Sequence, residues 1–159
     1  MEYKVKTVAD AQALAALAHY GQMRRNGSEP YYRHVCRVGD AVIAMPNISL
    51  DAILAGYLHD VIEDTDVTAE QLLADGYTQR TVDLVVSLTR DAVISYTDYI
   101  DWLIATGDIE LMYIKLADLN DNSTIYPDGC WDGWMHSIQR YTRAKIKIVV
   151  AINQLLTVS

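Results

Sequence analysis

The run Ser49-Leu50-Asp51-Ala52-Ile53-Leu54-Ala55-Gly56-Tyr57-Leu58-His59-Asp60-Val61-Ile62-Glu63-Asp64-Thr65 is the most informative part of this chain. The Ser49 hydroxyl can accept an orphan N–H of a first helical turn, so a helix is expected to start here. Leu50, Ile53, Leu54, Tyr57, Leu58, Val61 and Ile62 recur at helical spacing and predict its buried side. Four residues separate His59 from Glu63, and four separate Asp60 from Asp64. Each pair is therefore expected to stack along the helix, in adjacent rows. One face then carries an imidazole and three carboxylates, which repel one another unless a cation offsets them. Ala55 and Gly56, upstream in the same rows, are small enough to let another group approach. The plainer reading is an acidic half-helix that is simply solvated.

Helical signals continue on both sides. Val8 to Tyr20 is rich in Ala and Leu and stops at Gly21. A polar stretch, Met23 to Glu29, follows and contains the adjacent pair Arg24 and Arg25. Pro30 suits the first turn of a helix in which Val35, Val38 and Val42 share a face, and Pro46 and Asn47 end it. Downstream, Thr68 with Gln71 has the form of a capping box for a short helix ending before Gly76. Thr81 to Thr89 alternates as a strand would, but no partner strand is evident, so it reads as helix. Ser95 with Asp98 opens another helix that ends near Gly107, and Asp108 caps the one running from Ile109 to about Asn120. A loop with Pro127, Asp128 and Gly129 leads to a long last helix carrying Met135, Ile138, Thr142, Val149, Ile152 and Leu156. There is no internal repeat and no linker. The expectation is a single all-α domain over residues 1–159.

Composition narrows the function. Of 159 residues, 51% are hydrophobic and 21% charged, enough apolar material for a core and unlike a disordered chain. Thirteen Lys and Arg stand against 21 Asp and Glu, a net charge of −8. No basic patch is evident along the chain, which argues against nucleic acid or an anionic membrane as partner. A small phosphorylated ligand stays open, because a metal or a few local cations can reverse the field inside one pocket. Cys36 and Cys130 lack metal-type spacing and read as reduced thiols. Glu2, Lys4, Lys6 and Asp10 stand where a signal peptide needs an apolar core, and no apolar run reaches the ~20 residues of a membrane helix. A cytoplasmic location is expected.

A second informative run is Leu111-Met112-Tyr113-Ile114-Lys115-Leu116-Ala117-Asp118-Leu119-Asn120-Asp121-Asn122. Asp118 follows a core-like stretch, where a carboxylate is costly unless paired or bound to a metal. It can pair with Lys115, cap the helix end, or bind a cation. His34, early in the second helix, reads by itself as an ordinary core or surface histidine, and His19 and His136 have no evident partner. Trp131, Trp134 and Tyr141 read as packing for the last helix. Taken together, however, His34, His59, Asp60 and Asp118 offer two nitrogen and two oxygen donors from three helices. Such a set suits Mn, Fe or Zn with positions left for water, and its mixed donors favour Mn or Fe over structural Zn.

The order His34, His59-Asp60, Asp118 resembles the HD-domain metal-dependent phosphohydrolases, and within them the hydrolase domains of RelA/SpoT-type enzymes and the small alarmone hydrolases. Three stretches carry the resemblance: residues 18–25 leading to Pro30, Tyr31 and His34; Leu58 to Thr65; and Ile114 to Asp118 with Asn122. The middle one, His-Asp-X-X-Glu-Asp-Thr, is the most specific. The resemblance implies a compact multi-helix HD-domain bundle in which His34, His59, Asp60 and Asp118 bind one Mn²⁺-like ion, with Fe or Zn as alternatives. It further implies that Glu63 and Asp64 orient and deprotonate the attacking water. Arg24 would contact the base, Arg25 would approach phosphate, and Asn122 would hydrogen-bond the nucleotide. The implied reaction removes the 3′-pyrophosphate from guanosine tetra- or pentaphosphate alarmones, as a stand-alone hydrolase. Arg25 stands where the family usually has Lys, Leu119 replaces a basic residue, Ser123-Thr124 replaces Met-Arg-Thr, and the loop from Arg25 to Pro30 is one residue longer. These differences keep two alternatives in view: an HD phosphohydrolase for another nucleotide, and a non-catalytic nucleotide-binding module.

Overall fold

Local capping chemistry sets where the helices begin. The computed structural model describes residues 5–25, 27, 29–124 and 133–158, and among them there are nine helices and no strand. They are α1 (Val8–Ala18), α2 (Tyr31–Ile43), α3 (Leu50–Leu58), α4 (Val61–Asp64), α5 (Ala69–Ala74), α6 (Gln79–Leu88), α7 (Tyr96–Ala105), α8 (Ile109–Asn122) and α9 (Trp134–Val158). Ser49, Ser95 and Asp108 cap α3, α7 and α8 through their side chains, and Thr68 and Gln71 form a reciprocal box on α5, as their positions predict. The strand-like alternation before Thr89 is helix α6, capped by Thr78. Pro30 lies just outside α2 as its cap residue, and α1 ends at Ala18, two residues before the expected Tyr20. The expected loop around Pro127, Asp128 and Gly129, together with Glu2, Lys4, Cys130 and Trp131, lies outside the described residues.

Helix α3 is the centre of the bundle, with α1, α2, α6 and α8 packed around it. Ala52, Leu54, Ala55, Gly56, Tyr57 and Leu58 are all buried, so α3 is apolar on nearly every side, whereas Leu50 at its start is 45% exposed. Small residues set how closely α2 approaches. A Cβ on Gly39 would run into the Tyr57 ring, and one on Gly56 would come within 3.1 Å of Val42 Cγ2. The room left by Ala55 and Gly56 is therefore taken by packing inside the core rather than by a ligand.

One expectation is overturned here, that of a continuous helix from Leu50 to Ile62. The chain leaves the helix after Leu58, passes through Asp60 at φ −106° and ψ 0°, and restarts as α4. Adjacent residues of an unbroken helix do not face each other. The break turns Asp60 back so that its Oδ2 lies 2.9 Å from His59 Nε2. The stacked rows of His59 over Glu63 and Asp60 over Asp64 consequently do not form as a regular helical face. In α9 the buried side is Ser137, Ala144, Ile148, Ala151 and Ile152, while Met135, Val149 and Leu156 are exposed.

Candidate metal centre

Three elements meet at one point. His34 comes from the first turn of α2, His59 and Asp60 from the break between α3 and α4, and Asp118 from the buried face of α8. One ligand-type atom each from His34, His59 and Asp118 lie within 4.8 Å of one another, and all three residues are buried. His34 Nε2 is 3.4 Å from Asp118 Oδ1 and 3.5 Å from Asp60 Oδ2, and His59 Nε2 is 3.7 Å from Asp118 Oδ1.

The ring nitrogens show what this point demands. His34 Nδ1 is 2.7 Å from Asp121 Oδ2, and His59 Nδ1 is 2.9 Å from the Gly56 carbonyl. Both acceptors need a proton on Nδ1, so in the neutral rings Nε2 carries a lone pair. Those two buried Nε2 atoms have no hydrogen-bond partner among the described residues, and they face two carboxylates. Lone pairs and negative oxygens sharing a buried space repel unless something positive lies between them. Protons can fill that role. Burial alone would lower both imidazoles, but the nearby carboxylates of Asp118, Asp121 and Asp60 raise His34 to about 9, and those of Asp60 and Asp118 raise His59 to about 10. The same donors suit a divalent ion, which would take the two lone pairs and a carboxylate oxygen of Asp118, whereas Asp60 lies against both imidazoles but outside the set of atoms within 4.8 Å of one another.

Other side chains tie the ligands down. The Tyr31 hydroxyl donates to Asp60 Oδ2 at 2.6 Å. Asp118 uses Oδ2 for Lys115 at 2.7 Å and turns Oδ1 toward the histidines, so it is paired with lysine and aimed into the centre at the same time. Asn122 donates to Asp118 Oδ1, and its own Oδ1 accepts from Arg24 Nη2 at 3.0 Å. Arg24 also lies over the Tyr31 ring, 5.8 Å from its centroid. Arg25 is exposed on the loop beyond it. Glu63 and Asp64 are exposed on α4; Glu63 Oε2 accepts the Arg90 backbone N–H at 3.1 Å. Burial first, and then the nearby Asp60 charge, raise both carboxyls above their ordinary range. A raised carboxyl holds a proton more readily than an ordinary one, which suits a group that takes and returns protons.

Several contributors escaped the linear reading. Tyr31 and Asp121 act on the ligands directly, and Arg37 and Glu29 stand behind Asp121. Asp121 lies three residues past Asp118, the spacing of one helical face, and that was the available signal. His19 is buried, with Nδ1 on Gln22 Oε1 at 2.9 Å and its ring 5.0 Å from Tyr31, placing it next to the site after all.

A helical bundle that brings His34, His59 and Asp118 to one buried point, with Asp60 against both imidazoles, has a donor set suited to a divalent metal ion. A family model for the HD domain matches residues 11–122, and the chain belongs to that family. Among curated relatives, a guanosine-3′,5′-bis(diphosphate) 3′-pyrophosphohydrolase of Borreliella burgdorferi is 34% identical over 133 residues, covering 77% of this chain and 19% of that protein. The enzyme of the same name from Haemophilus influenzae is 37% identical over 120 residues, 69% of this chain and 17% of that protein. The chain thus spans about a fifth of the length of these relatives. A solved structure, reported as a metazoan ortholog of SpoT that hydrolyzes ppGpp, aligns over 99% of this chain and 97% of its own with a TM-score of 0.65 at 21% identity, a likeness of fold. No helix of the described residues is long and apolar enough to cross a membrane.

Proposed function

We propose that residues 1–159 form one HD hydrolase domain, working in the cytoplasm, that removes the 3′-pyrophosphate from guanosine 3′,5′-bis(diphosphate)-type alarmones with the help of a single Mn²⁺-like ion. The observation that carries this reading is the meeting of His34, His59 and Asp118 within 4.8 Å, in a chain whose similarity to named 3′-pyrophosphohydrolases covers three-quarters of its length.

His34, His59, Asp60 and Asp118 would hold the ion. Bound there, a divalent ion acidifies water and offsets phosphate charge. Tyr31 keeps Asp60 turned inward, Lys115 holds the far oxygen of Asp118, and Asp121 holds the tautomer of His34. Glu63 and Asp64, their carboxyls raised by burial and by Asp60, would orient the attacking water, take its proton and return one to the ribose 3′-oxygen as its bond to phosphorus breaks. Arg24 would meet the base and Arg25 a phosphate, offsetting ligand charge in an otherwise acidic protein. Asn122 would hydrogen-bond the nucleotide from a position set by Arg24 and Asp118.

A second reading, an HD phosphohydrolase for another nucleotide, draws support from that same Asn122. Its amide is engaged on both sides by protein groups, so substrate must displace Arg24 or share it. The test is a panel of nucleotides incubated with Mn²⁺ and protein, with products separated by chromatography. Pyrophosphate released from guanosine 3′-diphosphates supports the first reading. Phosphate released only from other nucleotides selects the second, and no product from any nucleotide leaves a binding module.

A further inference from the structure

The residues described so far crowd one end of α2, α3 and α8, whereas the chain's densest positive charge lies elsewhere. Helix α9 carries Arg140, Arg143, Lys145 and Lys147 and not one acid, in a protein with 21 acids overall. Between α9 and α7 lies a pocket of about 350 Å³. Arg140, Arg143 and Lys147 line it from α9, Tyr96 and Thr97 from α7, and no acidic residue is among the described residues of its lining.

The lining is partly arranged in advance. The Arg140 guanidinium lies 4.7 Å from the Tyr96 ring centroid and 5.3 Å from that of Tyr141, so two aromatic rings limit its freedom. Lys147 is paired at 2.6 Å with Asp101, on the solvent side of α7. The Tyr96 hydroxyl is buried without a hydrogen-bond partner among the described residues. The Tyr96 ring lies 6.5 Å from that of Tyr99, and the Lys115 ammonium that holds Asp118 sits 5.7 Å from the Tyr99 ring, so these side chains connect the pocket to the proposed metal centre.

We propose that this pocket, with Arg140, Arg143 and the Tyr96 hydroxyl as donors, binds a phosphate or diphosphate group of the nucleotide, at the end remote from the bond that is cut. The proposal rests on the function proposed above, and it supplies what that function lacks. A substrate with diphosphates on both sides of a ribose brings charge that one metal ion cannot offset, and planar guanidinium groups match phosphate geometry. Holding the remote group lowers KM and leaves the chemical step at the metal centre unchanged.

The test has two arms on the full chain. Calorimetric titration with inorganic pyrophosphate in the absence of added metal should show binding that weakens with salt. The double substitution Arg140→Gln and Arg143→Gln should weaken it at least about tenfold. Lys145→Gln removes the same charge outside the pocket lining and should leave binding as in wild type, as should Asp118→Asn at the metal centre. The kinetic arm compares guanosine 3′,5′-bis(diphosphate) with guanosine 3′-diphosphate in the presence of Mn²⁺. The double variant should raise KM about tenfold or more for the first, leave KM for the second, and keep kcat for both. Tyr96→Phe should give the same pattern more weakly, and thermal melts confirm folding of each variant. Pyrophosphate affinity unaltered in the double variant overturns the proposal. So does lost affinity with KM unaltered for both nucleotides, which marks a site for free anions instead. Should neither nucleotide be turned over, the proposed function fails while the pyrophosphate titration still decides the pocket.

Discussion

His34 Nδ1 and the Asp121 carboxylate lie 2.7 Å apart, and this contact decides which ring nitrogen faces the cluster of His59, Asp60 and Asp118. Asp121 is itself held by Arg37, whose Nε reaches Oδ1 at 2.5 Å and whose Nη2 reaches Oδ2 at 3.1 Å. Arg37 in turn forks onto Glu29 at 2.6 and 3.0 Å, and the Glu29 carbonyl accepts the Arg24 backbone N–H at 2.9 Å. An unbroken set of bonds thus connects the arginine loop to the innermost histidine. Burial would raise the Asp121 carboxyl, but the bonds from His34 and Arg37 hold it down at about 2, so it stays an acceptor at neutral pH.

Asp121→Asn keeps the shape and removes the charge that fixes the His34 tautomer. Metal affinity should fall by about 10- to 100-fold, the usual effect of losing an outer partner of a ligating histidine. Calorimetric Mn²⁺ titration reads this directly, and affinity equal to wild type would show that Asp121 does not orient His34 for metal.

Asp118→Ala should abolish both metal binding and turnover. It also leaves Lys115 buried beside the emptied position without its partner, and half-broken buried pairs typically destabilise by about 3–5 kcal/mol. Urea denaturation of the metal-free proteins measures that loss. The double variant Asp118→Ala with Lys115→Met should recover part of it without recovering metal.

Glu63→Gln removes a proton acceptor while sparing every proposed ligand. Metal content should match wild type, and kcat should drop by about 10²- to 10⁴-fold, the range for a general acid–base group. Metal analysis of the purified variant beside its steady-state rates separates this from a structural defect.

pH should act on the metal-free and metal-loaded proteins in opposite senses. In the metal-free protein His34 and His59 are raised from 6.5 to about 9 and about 10. Their protonation therefore contributes stability that is complete below about pH 6.5 and is lost as pH rises through about 9 to 10. A metal must displace those protons, so its affinity should increase with pH until about 9 to 10, with proton release on binding. Melting curves with and without Mn²⁺ across this range give both slopes, and a pH-independent metal affinity would contradict histidine ligation.

Gly39→Ala places a Cβ against the Tyr57 ring at the closest approach of α2 and α3. Overpacking of this kind costs about 1–3 kcal/mol, and chemical denaturation should show it.

Much of the fold was legible in the chain because it is local. A cap such as Ser49 or Asp108 acts on N–H groups two or three residues away, and a helical face repeats within two turns, so both can be seen in a linear sequence. Where several faces compete, the local pattern was not enough. Val149 and Leu156 share helical spacing with Ile152, yet Ala144, Ile148 and Ala151 are what α9 turns inward, because α8 lies on that side. The break at Asp60 was invisible for a related reason: nothing between Leu58 and Val61 forbids a helix, and its interruption accompanies contacts with Tyr31 and His59.

By itself, then, the order of residues determined an all-helical bundle of the HD family and proposed His34, His59, Asp60 and Asp118 as one set, of which the fold brings His34, His59 and Asp118 within 4.8 Å, since these readings depend on residue type, spacing and likeness to that family. Tertiary structure alone decided that both Nε2 atoms would be left buried and unpartnered, that Asp121, 87 residues from His34, would hold its ring, and that Arg140 and Arg143 would wall a pocket with Tyr96. Electrostatic repulsion and desolvation act through space, and the distances they act over exist only once the helices have packed.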